Sequence, residues 1–331
     1  MIPLLLALLV VQPAPADQAP AVDPVDVWLD VDTSTGVVKL GRNADVDDGL
    51  FMIYCFNSPE LNVRGISVQF GNATLEQAVP IAEDITRRFG PADLPIHAGA
   101  ASADDLDKQT DATRAIAAAL REKPMHVMAV GPVTNIAAVL KAEPDLAENV
   151  QSIVVVAARR VGFRFGPVEA PEFYFPDLNF ESDPAAMQVL IDSGVPIVFA
   201  GYEVSSHVWI THEDLDQLAE ASDVGRWIHD TSQAWIGQWL VGLNTPGFNP
   251  FDTLAAMWLT HPELIESVPV DVRIIESVDE RAPYALRIGG ATREYLLATP
   301  AEGESRFTYL TVPAAESSDI IVERLSGPAQ P

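Results

Sequence analysis

Short apolar runs alternate with longer amphipathic ones along most of this chain, and that rhythm restricts the fold more than any other feature. Strand-like runs at Val27 to Val31, Val63 to Val68, His126 to Val130, Ile153 to Ala157 and Pro196 to Ala200 are separated by helical patterns around Leu75 to Phe89, Thr113 to Glu122, Asn135 to Lys141 and Pro184 to Ser193. Strands joined through helices require right-handed crossovers, so the pattern predicts an α/β fold with a mostly parallel central sheet and helices on both faces. After Thr211 the pattern changes to a long helical region with Trp227, Trp235 and Trp239, then to a β-like tail from Val268 to Val312. A chain of 331 residues can bury a large core. The expected organisation is one α/β domain over residues 25–325, preceded by a Pro/Ala-rich linker at 17–24 and followed by a frayed end at 326–331.

Acidic residues are concentrated where two of these elements should meet. Asp30 and Asp32 close the first apolar run, and Asp45, Asp47 and Asp48 open the apolar segment Leu50 to Phe56, which has the acidic start of a helix. Carboxylates at the C-terminal end of a parallel strand and at the next helix N-terminus can converge where α/β sheets bind ligands. Oxygen-only ligands favour Ca²⁺ or Mg²⁺ over Zn²⁺. Two other readings stand beside the metal site: Asp45, Asp47 and Asp48 as helix caps that complement the dipole, and Asp30 and Asp32 as the nucleophilic Asp-x-Asp of a phosphohydrolase. Further polar groups follow the other strands: Gln69 to Asn72, Gly131 to Asn135, Asp177 to Asn179, and Asp252 before another apolar helix.

Composition removes some partners. An excess of 47 acidic over 20 basic residues gives a net charge of −27, which repels nucleic acid and anionic lipid. Residues 1–11 form an apolar run too short to span a bilayer, and Ala14-Pro-Ala16 has the form of a signal peptidase site. Residues 1–16 are therefore expected to be a signal peptide for export, to the periplasm or outside, with no other membrane attachment; no basic n-region precedes the run, so a mis-assigned start codon and a cytoplasmic protein are the alternative. Cys55 is the single cysteine and is expected in the core, so no intrachain disulfide forms.

Six blocks in unbroken order carry a resemblance: Leu29 to Asp32 with Asp45 to Asp48, Ser58 to Leu61, Gly71 to Leu75, Val130 to Asn135, Asn179 to Pro184, and Phe251 to Ala255. With them the chain resembles the inosine-uridine preferring nucleoside hydrolase family from about Val27 to Asp271. The family's aspartate block is compact, whereas here Thr33 to Ala44 is inserted, read as a surface loop that leaves both halves in place. The resemblance implies a ribonucleoside hydrolase that uses Ca²⁺ to cleave an N-glycosidic bond into base and ribose. It implies that Asp32, Asp48, Asp252 and the backbone carbonyl of Val130 hold the ion, and that Asp32 takes a proton from a Ca²⁺-bound water. Asp47, Asn72, Asp177 and Asn179 would bind the ribose hydroxyls, and a homodimer or homotetramer would be usual for the family.

Two positions depart from the family pattern. Asp177 stands where a glutamate is usual, giving a shorter arm to the sugar. Phe251 stands where most relatives have a histidine that helps protonate the departing base; phenylalanine cannot donate a proton, but its ring can stack on a base. Of the six histidines, His97, His126 and His261 read as structural; His229 lies in the tryptophan-rich helical region, which in relatives contributes residues near the base, but a satisfied or solvent-facing histidine is the favoured reading there too. The Phe251 substitution also keeps open a catalytically weak, Ca²⁺-stabilised nucleoside or ribose binding protein. Asp252 and the Asp177 to Asn179 block have no role in the phosphohydrolase.

Overall fold

The computed structural model describes residues 23–39, 41–167, 173–282 and 284–327. The expected signal peptide, residues 17–22 of the linker, and residues 328–331 lie outside the described residues. The strands are β1 (Val25–Val31), β2 (Val38–Lys39), β3 (Arg42–Asn43), β4 (Leu61–Val68), β5 (Ile96–Ala98), β6 (Met125–Ala129), β7 (Val150–Val155), β8 (Arg159–Arg160), β9 (Ile197–Phe199), β10 (Ile210–Thr211), β11 (Gly247–Phe248), β12 (Ile265–Val278), β13 (Thr292–Pro300) and β14 (Phe307–Pro313). The helices are α1 (Asp47–Phe56), α2 (Leu75–Phe89), α3 (Asp111–Glu122), α4 (Thr134–Ala142), α5 (Leu178–Ser182), α6 (Pro184–Asp192), α7 (Tyr202–Ser205), α8 (His212–Ala221), α9 (Asp223–Leu243), α10 (Thr253–Thr260), α11 (Tyr284–Ile288) and α12 (Ser317–Ser326).

Ten strands form one sheet in the order β5-β4-β1-β6-β7-β9-β14-β12-β13-β8. From β5 through β14 every neighbouring pair is parallel. β12 then pairs antiparallel with both β14 and β13, and β8 closes the far edge parallel to β13. The predicted mostly parallel sheet is thus present, and the β-like tail is its antiparallel extension. One core layer includes Leu50 to Phe56, Ala78, Ile85, Trp239 and Leu254 to Met257. The other includes Ile116, Leu120, Ile136, Met187 and Leu190, so helices cover both faces.

Chain order reverses between the third and fourth strands of the sheet. From β1 the path runs to β4 and β5 on one side and resumes at β6 and β7 on the other, which makes the β1/β6 boundary the topological switch point. Ligands of open α/β sheets bind outside the C-terminal ends of the strands at that point. Here those ends are Val31 and Ala129. Local signals position the flanking helices. Thr74 and Gln77 form a reciprocal capping box at α2, as do Thr110 and Thr113 at α3. α1 is buried along all of its length and packs on α10, which opens at Asp252.

Three features differ from the sequence expectation. The long helical region divides at Ser222, whose hydroxyl accepts the Gly225 amide at 3.0 Å and starts α9 afresh. A C-terminal helix, α12, occupies Ser317–Ser326 and packs its apolar face on α1, α8 and α9, so the chain stays ordered up to the predicted frayed end. The inserted segment is more than a surface loop: Thr33, Ser34 and Thr35 are buried, β2 and β3 pair as a hairpin, and the Gln238 side-chain amide of α9 both accepts from and donates to the Asn43 backbone at 3.2 and 3.0 Å. Among the described residues no helix is long and apolar enough to cross a membrane.

Candidate active site and metal centre

β1 delivers Asp32 to the switch point, fully buried, one residue beyond the strand. Its backbone amide donates to Asp48 Oδ1 at 2.9 Å, which ties the strand end to the first turn of α1 across the insertion. The Asn72 backbone amide donates to Asp32 Oδ2 at 2.7 Å, and Asn72 Nδ2 lies 3.4 Å from Oδ1. Two glycines make this approach possible. A Cβ on Gly71, where φ is +151°, would lie 1.7 Å from Asp32 Oδ2, and one on Gly131 would lie 2.9 Å from Asp32 Cβ. The turns after β4 and β6 therefore clasp Asp32 from two sides, as expected of groups that follow adjacent parallel strands.

The acid cluster proper is formed by two neighbouring helix starts. Asp47 and Asp48 sit in the first turn of α1, Asp252 is the N-cap residue of α10, and one carboxylate oxygen from each lies within 4.8 Å of the others. The helix-cap reading fits Asp45 best: its Oδ1 accepts the amides of Val46 at 2.7 Å and Asp47 at 3.2 Å. It does not fit Asp48 and Asp252. Asp252 makes no side-chain cap bond, and Asp48 Oδ2 is buried with no hydrogen-bond partner. A buried carboxylate oxygen facing other carboxylates lacks compensation from protein donors, and a hard cation supplies it. The donor set, oxygen only and anionic, fits such an ion. Asp47, Asp48 and Asp252 can hold a metal.

Electrostatics follow from this crowding. Burial pushes the Asp32 and Asp45 carboxyls up to about 6, and pushes Asp47, Asp48 and Asp252 well above the usual carboxylate range, with neighbouring aspartates adding to the rise. Asp30 lies beneath the site and is raised to about 7 by burial. Ser67 donates to Oδ1, Gln69 to Oδ2 at 2.8 Å, and Asn135 to Oδ1 at 2.8 Å. Fully enclosed by these donors, Asp30 has no open face for the nucleophilic role that a phosphohydrolase would require. Its network instead holds the loop after β6, since Gln69 also donates to the Pro132 carbonyl.

The other rim of the crevice carries Asp177 and Asn179. Asn179 Nδ2 donates to the carbonyls of Val130 at 2.6 Å and Val156 at 2.9 Å, so the Val130 oxygen assigned to the ion already receives one hydrogen bond and has a second lone pair to offer. Asp177 Oδ2 accepts from the Ala158 amide at 2.9 Å, and its backbone amide donates to Glu181 Oε1 at 3.1 Å. Burial, then the neighbouring Glu181, raises the Asp177 carboxyl to about 7.

Phe251 adjoins Asp252 and joins an aromatic cluster. Its ring centroid is 5.6 Å from Tyr202 and 6.0 Å from Trp239; Phe175 in turn lies 5.6 Å from Tyr202 and 5.4 Å from Trp239. Trp235 and Trp239 share a helix face, with Trp239 buried and turned to this cluster. His229 takes no part: Nδ1 is 2.8 Å from Asp230 and Nε2 is 3.5 Å from Asp216 of α8. His97 pairs with Asp111, His126 with Ser152 and His261 with Thr260. Glu181 and Tyr202 escaped the sequence reading, because each lies in a helix too short to leave a periodic signal.

The profile of the inosine-uridine preferring nucleoside hydrolase family matches residues 27–294, which includes every element that brings an acid to the cluster. The chain belongs to this family. It is an enzyme, a nucleoside hydrolase. Among relatives, the pyrimidine-specific ribonucleoside hydrolase RihA of Photobacterium profundum is 25% identical over 254 residues, covering 67% of this chain and 79% of the relative. The non-specific ribonucleoside hydrolase RihC of Salmonella agona is 25% identical, covering 69% and 79% respectively. Solved structures share the fold: a purine-preferring ribonucleoside hydrolase from Gardnerella vaginalis superposes with a TM-score of 0.73 at 20% identity, covering 91% of this chain and 98% of that one. A plant nucleoside hydrolase gives 0.72 at 19%, covering 92% and 100%. The nucleoside hydrolase fold and the acidic crevice at its switch point thus agree.

Proposed function

We propose that this protein is a Ca²⁺-dependent ribonucleoside hydrolase in which Asp32 acts as general base. One observation carries the reading: Asp48, whose Oδ2 is buried without a hydrogen-bond partner, shares a cluster with Asp47 and Asp252 in which a carboxylate oxygen of each lies within 4.8 Å of the others, and it is tied to the end of the strand that presents Asp32. Asp32, Asp48, Asp252 and the Val130 carbonyl would hold the ion, with Asp47 facing both ion and sugar. Bound there, calcium would acidify water and polarise the vicinal hydroxyls of ribose. Asp32, clasped by the Asn72 amide, would take the proton from attacking water, help typically worth about 10²–10⁴-fold. Asp47, Asn72, Asp177 and Asn179 would bind the ribose hydroxyls, and the surrounding carboxylates favour the cationic sugar that forms as the C–N bond breaks.

Water adds across that bond: its oxygen goes to the ribose carbon, and the departing base leaves with a proton. Phe251 and its aromatic neighbours offer a stacking surface to the base but no proton, so the favoured substrates are those whose base leaves easily or draws its proton from solvent. We assign the protein to export through residues 1–16 and to action as a symmetric oligomer, with residues 25–325 as one catalytic unit. Asp32→Ala tests the central assignment. It should lower turnover by at least about 10²-fold and weaken Ca²⁺ binding in a direct titration; retention of both full turnover and tight binding would overturn it.

A further inference from the structure

The sugar-binding arm is held from outside the family's aspartate blocks. Glu181 reaches back along α5 and accepts the Asp177 amide on Oε1, while its Oε2 receives Arg281 and Arg293, each at 2.6 Å. Those two arginines flank the tip between β12 and β13, and Arg293 is braced in turn by Asp279 at 3.3 Å. A second tie lies beside the first. Arg159 follows Ala158, the residue whose amide holds the Asp177 carboxylate, and it makes two bonds to Glu280 at 2.9 and 3.2 Å while its guanidinium sits 4.5 Å from the centre of the Tyr295 ring. Ala158 itself has φ of +72°, a conformation alanine keeps only where its surroundings impose it. The Ala158 contact of the Asp177 carboxylate and the Glu181 contact of its backbone amide are therefore both tied to the same hairpin tip.

We infer that Glu181 is a positioning residue for Asp177, and that the β12–β13 tip acts through Arg281 and Arg293 as a strap that sets the sugar-binding arm. The inference rests on Asp177 binding the sugar, as proposed above. Glu181 touches neither the acid cluster nor Asp32, so loosening it disturbs binding in the ground and transition states alike, and its signature is in KM rather than kcat.

The experiment compares steady-state kinetics of the full-length wild type with Asp177→Ala, Glu181→Gln, the double variant Arg281→Ala/Arg293→Ala, the double variant Arg281→Lys/Arg293→Lys, and Glu60→Gln. The last breaks the remote Glu60–Arg324 pair as a control. Glu181→Gln and the alanine pair should each raise KM for a cleaved ribonucleoside roughly tenfold, the scale of one lost charge-assisted hydrogen bond, with kcat within threefold of wild type. The lysine pair, which keeps the charge, and Glu60→Gln should leave KM within threefold. If Asp177→Ala raises KM while Glu181→Gln and the alanine pair stay within twofold of wild type, the strap is refuted and the sugar assignment survives. A wild-type KM in Asp177→Ala would refute both.

Discussion

Gly71→Ala isolates the placement of Asp32 from its chemistry. The added Cβ would lie 1.7 Å from Asp32 Oδ2 and 2.9 Å from Pro132 Cδ, at a residue whose φ of +151° is open to glycine and hostile to a side chain. Relief requires Asp32 to leave the Asn72 amide. The displaced Asp32 loses a hydrogen bond to a charged group, about 1.5–3 kcal/mol, against a typical domain stability of about 5–15 kcal/mol, and the backbone strain of about 1–3 kcal/mol adds only as far as the local shift leaves it unrelieved. The effect on Tm should be a drop of several degrees, at roughly 2–4 °C per kcal/mol. The effect on catalysis should be larger, because a displaced general base forfeits about 10²–10⁴-fold. The assay is kcat/KM on a ribonucleoside for wild type, Gly71→Ala, Asp32→Ala and the double variant. If Gly71 acts through Asp32, the double variant is no slower than Asp32→Ala alone. Activity of Gly71→Ala within threefold of wild type, or full additivity in the cycle, would refute the reasoning.

Other expectations follow from the same site. Phe251→His should raise the rate on nucleosides with poor leaving groups more than on a nitrophenyl riboside, and equal gains on both would show that acid assistance is not what the phenylalanine costs. Without divalent ions the stability should fall as pH rises from about 4 to 7: Asp32 and Asp45 are raised to about 6 and Asp30 and Asp177 to about 7, so the folded chain binds more protons than the unfolded one across that window. Melting scans in chelator at pH 5 and pH 8 should show the lower Tm at pH 8, and the stabilisation by added Ca²⁺ should be greater there; a Tm that rises with pH in chelator would contradict the burial account. Mass spectrometry of exported protein should find a mature N-terminus near Asp17, and an intact Met1 in the cytosol would oppose export.

The architecture was legible because each piece carried its own signal. α2 is bounded by its capping box, and its limits match the periodicity; the apolar runs mark the parallel strands to within about three residues. The convergence of Asp32, Asp48 and Asp252 could be read from their places at a strand end and two helix starts, because topology fixes where such positions meet. What stayed hidden depends on contacts distant in sequence. Glu181 owes its place to arginines 100 and 112 positions away on a hairpin whose pairing no local pattern announces. The insertion reads as polar loop, yet its docking is decided by Gln238, on a helix nearly two hundred residues later. His229, by contrast, is the satisfied histidine expected, 2.8 Å from Asp230 and 3.5 Å from Asp216.

The most direct test is turnover of a mixed ribonucleoside panel by purified protein, following free base and reducing sugar with no addition, with chelator, and with Ca²⁺ restored. The account predicts equimolar release of base and ribose that chelator abolishes and Ca²⁺ returns. Undiminished cleavage in the presence of a strong chelator, or none under any condition, would contradict it.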